Sequence, residues 1–316
     1  MSASRRPGSS GAESPTPNNP HEIHVVTKAL LRRFVDPATR KLTGYHLASR
    51  REYGKSPGSV GWVEQFIKYR PEETEAEWRQ IENRLHDAFK AVDDESIFSQ
   101  PDHVETIKKC IALHWARSKV YKDLHETILE AGREWHKRQW RQHYQPLLVA
   151  AFVSKYGLYP AGPEALDHIN DLLYAPPAII TSGEFFASRV RSLVSRASGY
   201  FSTQALQIGR AAGSEQLLIG DTPMLSFKRG ESGPLRDFRA PLFEAATVVL
   251  PIGPRHVAAL GRQEKWIALD ASAIEMLNVY QVLAAKDWVM YHPSGALMPF
   301  VDKIVTAIHA DTKASR

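Results

Sequence analysis

The residues of this 316-residue chain best suited to chemistry gather first in one stretch, Arg133-Glu134-Trp135-His136-Lys137-Arg138-Gln139-Trp140-Arg141-Gln142-His143-Tyr144. Basic side chains neutralise phosphates, and flat rings stack on unpaired bases. Arg133, Trp135, Lys137, Arg138, Trp140 and Arg141 therefore form the footprint expected of a contact with single-stranded nucleic acid. The competing reading is a helix whose indoles face the core while its basic side is solvated. At a spacing of five, Trp135 and Trp140 point about 140° apart on an ideal helix, so one face does not easily bury both.

Other spacings are less telling. His103, His114, His125 and His136 recur every eleven residues, about three α-turns, which would put them on nearly one face. Each step rises roughly 16 Å, too far for two of them to share a metal ion. His21-Glu22-Ile23-His24 lacks the partner pair of a zinc site. Cys110 is the single cysteine and falls on the apolar side of a helix, so it reads as a buried, inert thiol. There is no Gly-x-x-x-x-Gly-Lys-Ser/Thr loop and no Gly-x-Ser-x-Gly elbow.

Composition narrows the class. With 43% hydrophobic and 24% charged residues, the chain is an ordinary globular one rather than a fibrous or disulfide-stapled protein. The net charge of +5 is mild, and the basic stretch supplies a net +3 of it (four Lys/Arg less one Glu). One cysteine permits no internal disulfide, and no apolar run reaches membrane-spanning length. The first residues lack the apolar segment of a secretory signal. Together these lead to the expectation of a cytoplasmic protein with no membrane partner.

The elements that must position such residues follow from periodicity. Residues 1–20 read as a disordered leader, and residues 21–316 as a single domain. A short helix over Ala29–Phe34 is entered from an extended piece, KLTGYHL reads as a strand, and REYGKSPGSVG as a loop. The segment of about 74–200 reads as helical. A capping box at Thr74–Glu77 precedes one helix bearing Trp78, Ile81, Leu85, Ala88 and Val92. A longer helical stretch runs from Pro101 to about Pro146 with a kink near Gly132, and further helices lie near 163–174 and 183–197. Over about 201–300 the runs ALQIGR, EQLLIG, TPMLSF, ATVVLPIG and HVAALG are short strands, the first two joined by a hairpin turn at Ala211–Ser214. One amphipathic helix and a last short strand follow. The expected class is α+β, a predominantly helical first half packed against a small, mainly antiparallel C-terminal sheet.

Several short motifs also occur in a telling order. His24-Val25-Val26-Thr27 with Leu31-Arg32-Arg33-Phe34 looks like a degenerate His-Tyr-Val-Pro…Leu-Arg-x-Phe opening. Ile81-Glu82 lies in one helix, and Ala112-Leu113-His114-Trp115-Ala116-Arg117 looks like an Ala-Leu-Gln-x-x-Arg element in the next. Ile219-Gly220-Asp221-Thr222-Pro223 resembles Thr-Ser-Asp-Asn-Pro, Leu250–Arg255 resembles Pro-Leu-Ser-Pro-Arg, and Leu277-Asn278 with Ala284 or Ala285 closes the series. In this order they resemble a large, mostly bacterial family known as domain of unknown function 4238, over roughly His21 to Pro293. Thr27 stands where that family usually has Pro, and Gly220 where it has Ser. The resemblance implies a shared fold and one shared site, but no reaction.

The anchors of that resemblance supply a candidate catalytic set: His24, Glu82, Arg117, Asp221 and Asn278. A histidine, two carboxylates and an arginine fork are the parts of a hydrolytic or phosphodiester site. Should His24, Glu82 and Asp221 converge, magnesium or manganese would be the ion to expect. The alternative is structural: a Glu82–Arg117 helix–helix ion pair, an Asx turn at Asp221, and Asn278 bonded to sheet backbone. The leading expectation is an intracellular bacterial hydrolase or nuclease acting on nucleic acid. The rivals are a non-enzymatic binding or regulatory protein and an enzyme of a small phosphorylated or carboxylated metabolite.

Overall fold

In the computed structural model, which describes residues 22–229 and 235–314, the chain enters through β1 (Glu22–His24) and turns at once into α1 (Lys28–Leu31). Thr27 ends the extended piece by capping that turn, its side chain accepting a bond from the Ala29 amide. Strands β2 (Leu42–His46), β3 (Arg51–Lys55) and β4 (Trp62–Glu64) follow, with β4 returning to pair antiparallel with β1. The segment expected as a loop thus contains β3. It is an edge strand paired to β2 with exposed, mostly polar residues, so no buried face marks it in the sequence.

The helical part then runs α2 (Pro71–Glu82), α3 (Leu85–Asp93), α4 (Pro101–Ala116), α5 (Lys119–His143), α6 (Gln145–Tyr156), α7 (Asp167–Leu173), α8 (Ala178–Thr181) and α9 (Glu184–Ser202). Three expectations need correction. The first helix starts at Pro71, not at a Thr74 cap, because proline suits the first turn; Thr74 is buried inside it. It also breaks into α2 and α3 around Asn83–Arg84. The long helix breaks at Arg117–Ser118 rather than near Gly132. Arg117 leaves the helical region at φ −88°, ψ 66°, and the Ser118 hydroxyl caps α5 by accepting from the Tyr121 amide. Gly132 sits in open space, where glycine costs a helix only about 1 kcal/mol. The histidine stripe is therefore divided between two helices.

α4 is buried on most sides, through Val104, Ile107, Cys110, Ile111 and Leu113, and packs on α9 and α3. α5 contains no fully buried residue along its 25 positions. Ion pairs such as Lys122–Glu126 and Arg133–Glu130 line it instead.

The C-terminal part is β5 (Ala205–Ala211), β6 (Ile219–Gly220), β7 (Leu225–Arg229), β8 (Leu235–Phe238), β9 (Thr247–Gly253), β10 (His256–Gly261), β11 (Lys265–Leu269), α10 (Ala271–Ala284), β12 (Trp288–Tyr291) and α11 (Met298–Ala314). Six strands form the larger sheet in the order β11-β5-β10-β9-β7-β8, antiparallel except for β11 beside β5. The fold is α+β, with helices concentrated in the first two-thirds and the larger sheet after them. Val248, Leu250 and Ile252 of β9 face the helical half, while Val249 meets Ile274 and Leu277 of α10. The sheet is thus covered on both faces. Arg33 ties the layers together, with its fork on Asp93 at 2.6 and 2.7 Å and its Nε on the Ile252 carbonyl.

The hairpin expected at Ala211–Ser214 does not form. β5 pairs with β10 and β11, whereas β6 joins a second sheet of order β3-β2-β12-β6. The chain between them crosses from one sheet to the other, and polar side chains of α10 hold it there. The leader expected over 1–20 lies outside the described residues.

Candidate functional site

The break between α4 and α5 determines where the central side chain goes. Because Arg117 closes α4 and Ser118 opens α5, Arg117 projects into the interior beside α2, at 3% exposure. Its Nη1 donates to Glu82 at 2.8 Å, and its guanidinium lies over the Trp78 ring at 5.0 Å. Its Nε and Nη2 are buried with no hydrogen-bond partner among the described residues. The Thr27 hydroxyl also bonds to the Glu82 carboxylate, and the Thr27 amide donates to His114 Nε2 at 3.2 Å. His114 in turn holds the Cys110 carbonyl through Nδ1 at 2.8 Å. His24, at the end of β1, completes the group. Its ring bonds to the Val60 backbone, and its Nδ1 is buried without a partner among the described residues.

The electrostatics follow from this burial. Desolvation, reinforced by Lys28 and Arg117, lowers the His24 imidazole to about 4. Burial and Arg117 lower His114 to about 4 as well. Both rings are therefore neutral near pH 7. Burial works to raise the Glu82 carboxyl, but Arg117 outweighs it and the net shift is downward. Glu75, seven residues earlier on the same face of α2, is pushed up, first by burial and also by the charge of Glu82. The Cys110 thiol is pushed up to about 12 by burial, which makes it inert at neutral pH.

His24, Glu82 and Arg117 of the expected set interact electrostatically as one group. Asp221 and Asn278 have different surroundings. The Asp221 carboxylate accepts from the amides of Lys286 and Asp287 at 2.8 Å each and of Trp288 at 3.2 Å. Asn278 accepts from the Leu218 amide and donates to the Gln216 carbonyl, both at 2.9 Å. Gln281, unremarked in the sequence, does the same for Gly220 and Pro223 at 2.8 and 2.7 Å. At Gly220 a Cβ would lie 3.0 Å from the Gln281 carbonyl oxygen, so β6 approaches the backbone of α10 closely here. Asp221, Asn278 and Gln281 thus fasten the β6 segment to α10 and β12.

With the Asp221 oxygens engaged in this way, the oxygen-rich ligand set imagined for magnesium or manganese does not assemble. No group of three or more His, Cys, Asp or Glu side chains among the described residues is placed to hold a metal ion. Asp221→Ala would leave the part-buried amides of Lys286, Asp287 and Trp288 without their acceptor. It is expected to cost about 1–3 kcal/mol in urea unfolding, and a change under 0.5 kcal/mol would contradict the fastening role.

The basic run on α5 is divided. Lys137 pairs with Asp171, and Arg141 with Asp167 and the Pro163 carbonyl, so both are engaged with the neighbouring α7 region. Trp140 packs on the small cluster of Leu148, Leu166 and Ile169. Arg133 pairs with Glu130 at 2.6 Å. Trp135, 56% exposed, and Arg138 remain on the outer side. At about 1.5 Å per residue, Arg133 lies roughly 20 Å along the helix from its start beside Arg117. The run does not line the same site.

Sequence reasoning missed Thr27 as a ligand of Glu82, His114 as the support of Thr27, and Glu75. Glu75 carried a usable signal: Glu75, Trp78 and Glu82 share one face at helical spacing. Thr27 and His114 both fall within the family motifs, but nothing local pairs them, because their contact joins positions 87 residues apart.

The chain matches the family described as Protein of unknown function (DUF4238) over residues 23–295, a span that holds every anchor above. No curated protein and no solved structure matches it.

Proposed function

The chain belongs to the DUF4238 family of proteins of unknown function, and we propose that it is a hydrolase of phosphate esters whose reacting centre is the group of His24, Glu82 and Arg117. One observation carries this reading: a buried guanidinium gives one N–H to Glu82 and leaves Nε and Nη2 unpaired. Buried unpaired donors on a charged group are costly, and an anion bonded to that open edge removes the cost. Glu82 and the Trp78 ring hold the fork in place, and the partly open Glu82 side, 28% exposed, is the way in.

In this proposal the phosphate accepts from Nε and Nη2, and the neutral His24 ring offers the lone pair of Nδ1 to a water. As water oxygen bonds to phosphorus, its proton passes to His24; as the ester P–O bond breaks, the proton passes to the leaving oxygen. A divalent ion would add charge neutralisation at the phosphate, although the ligand set that would hold one is not assembled here.

Trp135 and Arg138 favour a nucleic-acid strand as the ester: an open ring and a cation on one helix suit stacking and phosphate contact. In the full chain, cleavage of RNA, single-stranded DNA and bis(p-nitrophenyl) phosphate tests both levels. His24→Ala is expected to slow cleavage by about 10²–10⁴-fold with an unchanged or raised Tm. No cleavage by the wild type, or equal cleavage by the variant, sinks the hydrolase reading and leaves a binding protein. Trp135→Ala is expected to weaken only the polymer substrates, by about 1–3 kcal/mol of binding.

A further inference from the structure

On the other side of His114 lies an open-mouthed cavity of about 440 Å³, bounded by the α4–α5 junction, α9 and the segment around β7. Its volume is that of a small-molecule site, and its walls are mostly apolar, among them Leu124, Leu193 and Leu242. Three polar features break this lining. Thr222 is 9% exposed, and its Oγ1 is buried with no hydrogen-bond partner among the described residues, although it faces the cavity. Arg196 and Arg239 also line it, both exposed, while no Asp or Glu is among the described lining residues. Among the polar side chains of the wall, Arg239 donates to the Leu283 carbonyl at 3.1 Å, Ser118 caps α5, Ser226 bonds to the Ala240 carbonyl, and His114 holds Thr27 and Cys110.

An apolar chamber with one unsatisfied hydroxyl and a cationic rim suits a specific kind of molecule. We infer that the cavity binds a small amphiphile, an apolar body with a single anionic head, carboxylate or phosphate. The body would replace water against the leucines. A head-group oxygen would accept from Thr222 Oγ1, and the two arginines would supply the opposite charge. This site is separate from the Arg117 edge, and the inference does not depend on the hydrolase reading.

Titration of the full chain with dodecanoate and with dodecyl phosphate, below their micelle concentrations, tests it, with Trp115 fluorescence in the cavity wall and calorimetry as readouts. One molecule per chain is expected to bind saturably, at least tenfold tighter than dodecanol. Thr222→Val is expected to weaken binding about tenfold, and Leu193→Trp to abolish it by filling the chamber; Ala284→Leu serves if that variant fails to fold. The stronger of the two anionic probes identifies the head group. Absence of saturable binding, equal binding of dodecanol, or wild-type affinity in Thr222→Val or in a folded filling variant overturns the inference.

Discussion

Arg117→Met is expected to abolish phosphate-ester cleavage, by at least about 10²–10³-fold, because it removes the charged donors proposed to meet the phosphate. The same substitution leaves Glu82 beside Thr27 without its counter-ion. Breaking a buried pair from one side costs about 3–5 kcal/mol, and the wet edge of Glu82 places the expected loss near 3 kcal/mol. The two effects separate through Glu82→Gln, which retains a hydrogen-bond acceptor for Nη1 but not the charge. It should destabilise the fold while leaving Nε and Nη2 available to phosphate. If the pair were only a helix–helix clamp, both variants would lose stability and neither would change phosphate binding. Unfolding curves and steady-state kinetics on the same preparations read both outcomes.

A second large effect is expected from pH alone. His24 and His114 are each lowered from the usual 6.5 to about 4, chiefly by burial. On unfolding, both rings regain ordinary imidazole behaviour and bind protons that the folded protein refuses. Stability is therefore complete above about pH 6.5 and falls as the pH drops toward 4. A shift of that size corresponds to roughly 3 kcal/mol for each ring. The downward shift of Glu82 acts in the same direction at still lower pH. Urea midpoints from pH 7.5 to 4.5 should show this decline, and His24→Gln should remove about half of it. A flat profile over that interval would show that both rings are wet in the folded protein.

Part of this organisation was legible in the sequence. Apolar residues at three- and four-residue steps marked the helices, and the short β-type runs after residue 200 marked the larger sheet, because each pattern reflects a single buried face. What failed was whatever depends on a partner distant in the chain. β3 has no buried face of its own, and the β5–β6 turn looked like a hairpin because nothing local shows that β6 belongs with β12. Asp221 and Asn278 were conspicuous polar anchors, yet their partners are backbone groups of remote segments. Sequence alone does not separate a polar residue that fastens backbone from one that faces a ligand. Arg117 differs in that two of its donors find no partner among the described residues after folding, a property that exists only in three dimensions.

That property can be read directly. Nitrogen-15 spectra of the arginine side chains, recorded while inorganic phosphate is added to the full chain, follow the Arg117 Nε–H itself, with Arg117→Lys providing the assignment. One saturable shift of that resonance is expected, accompanied by a change at the His24 ring, with the Asp221 and Asn278 amides unmoved. A resonance that stays in place while phosphate reaches tens of millimolar would contradict it, and Arg117 would then be a buried strut rather than the grip of an anion site.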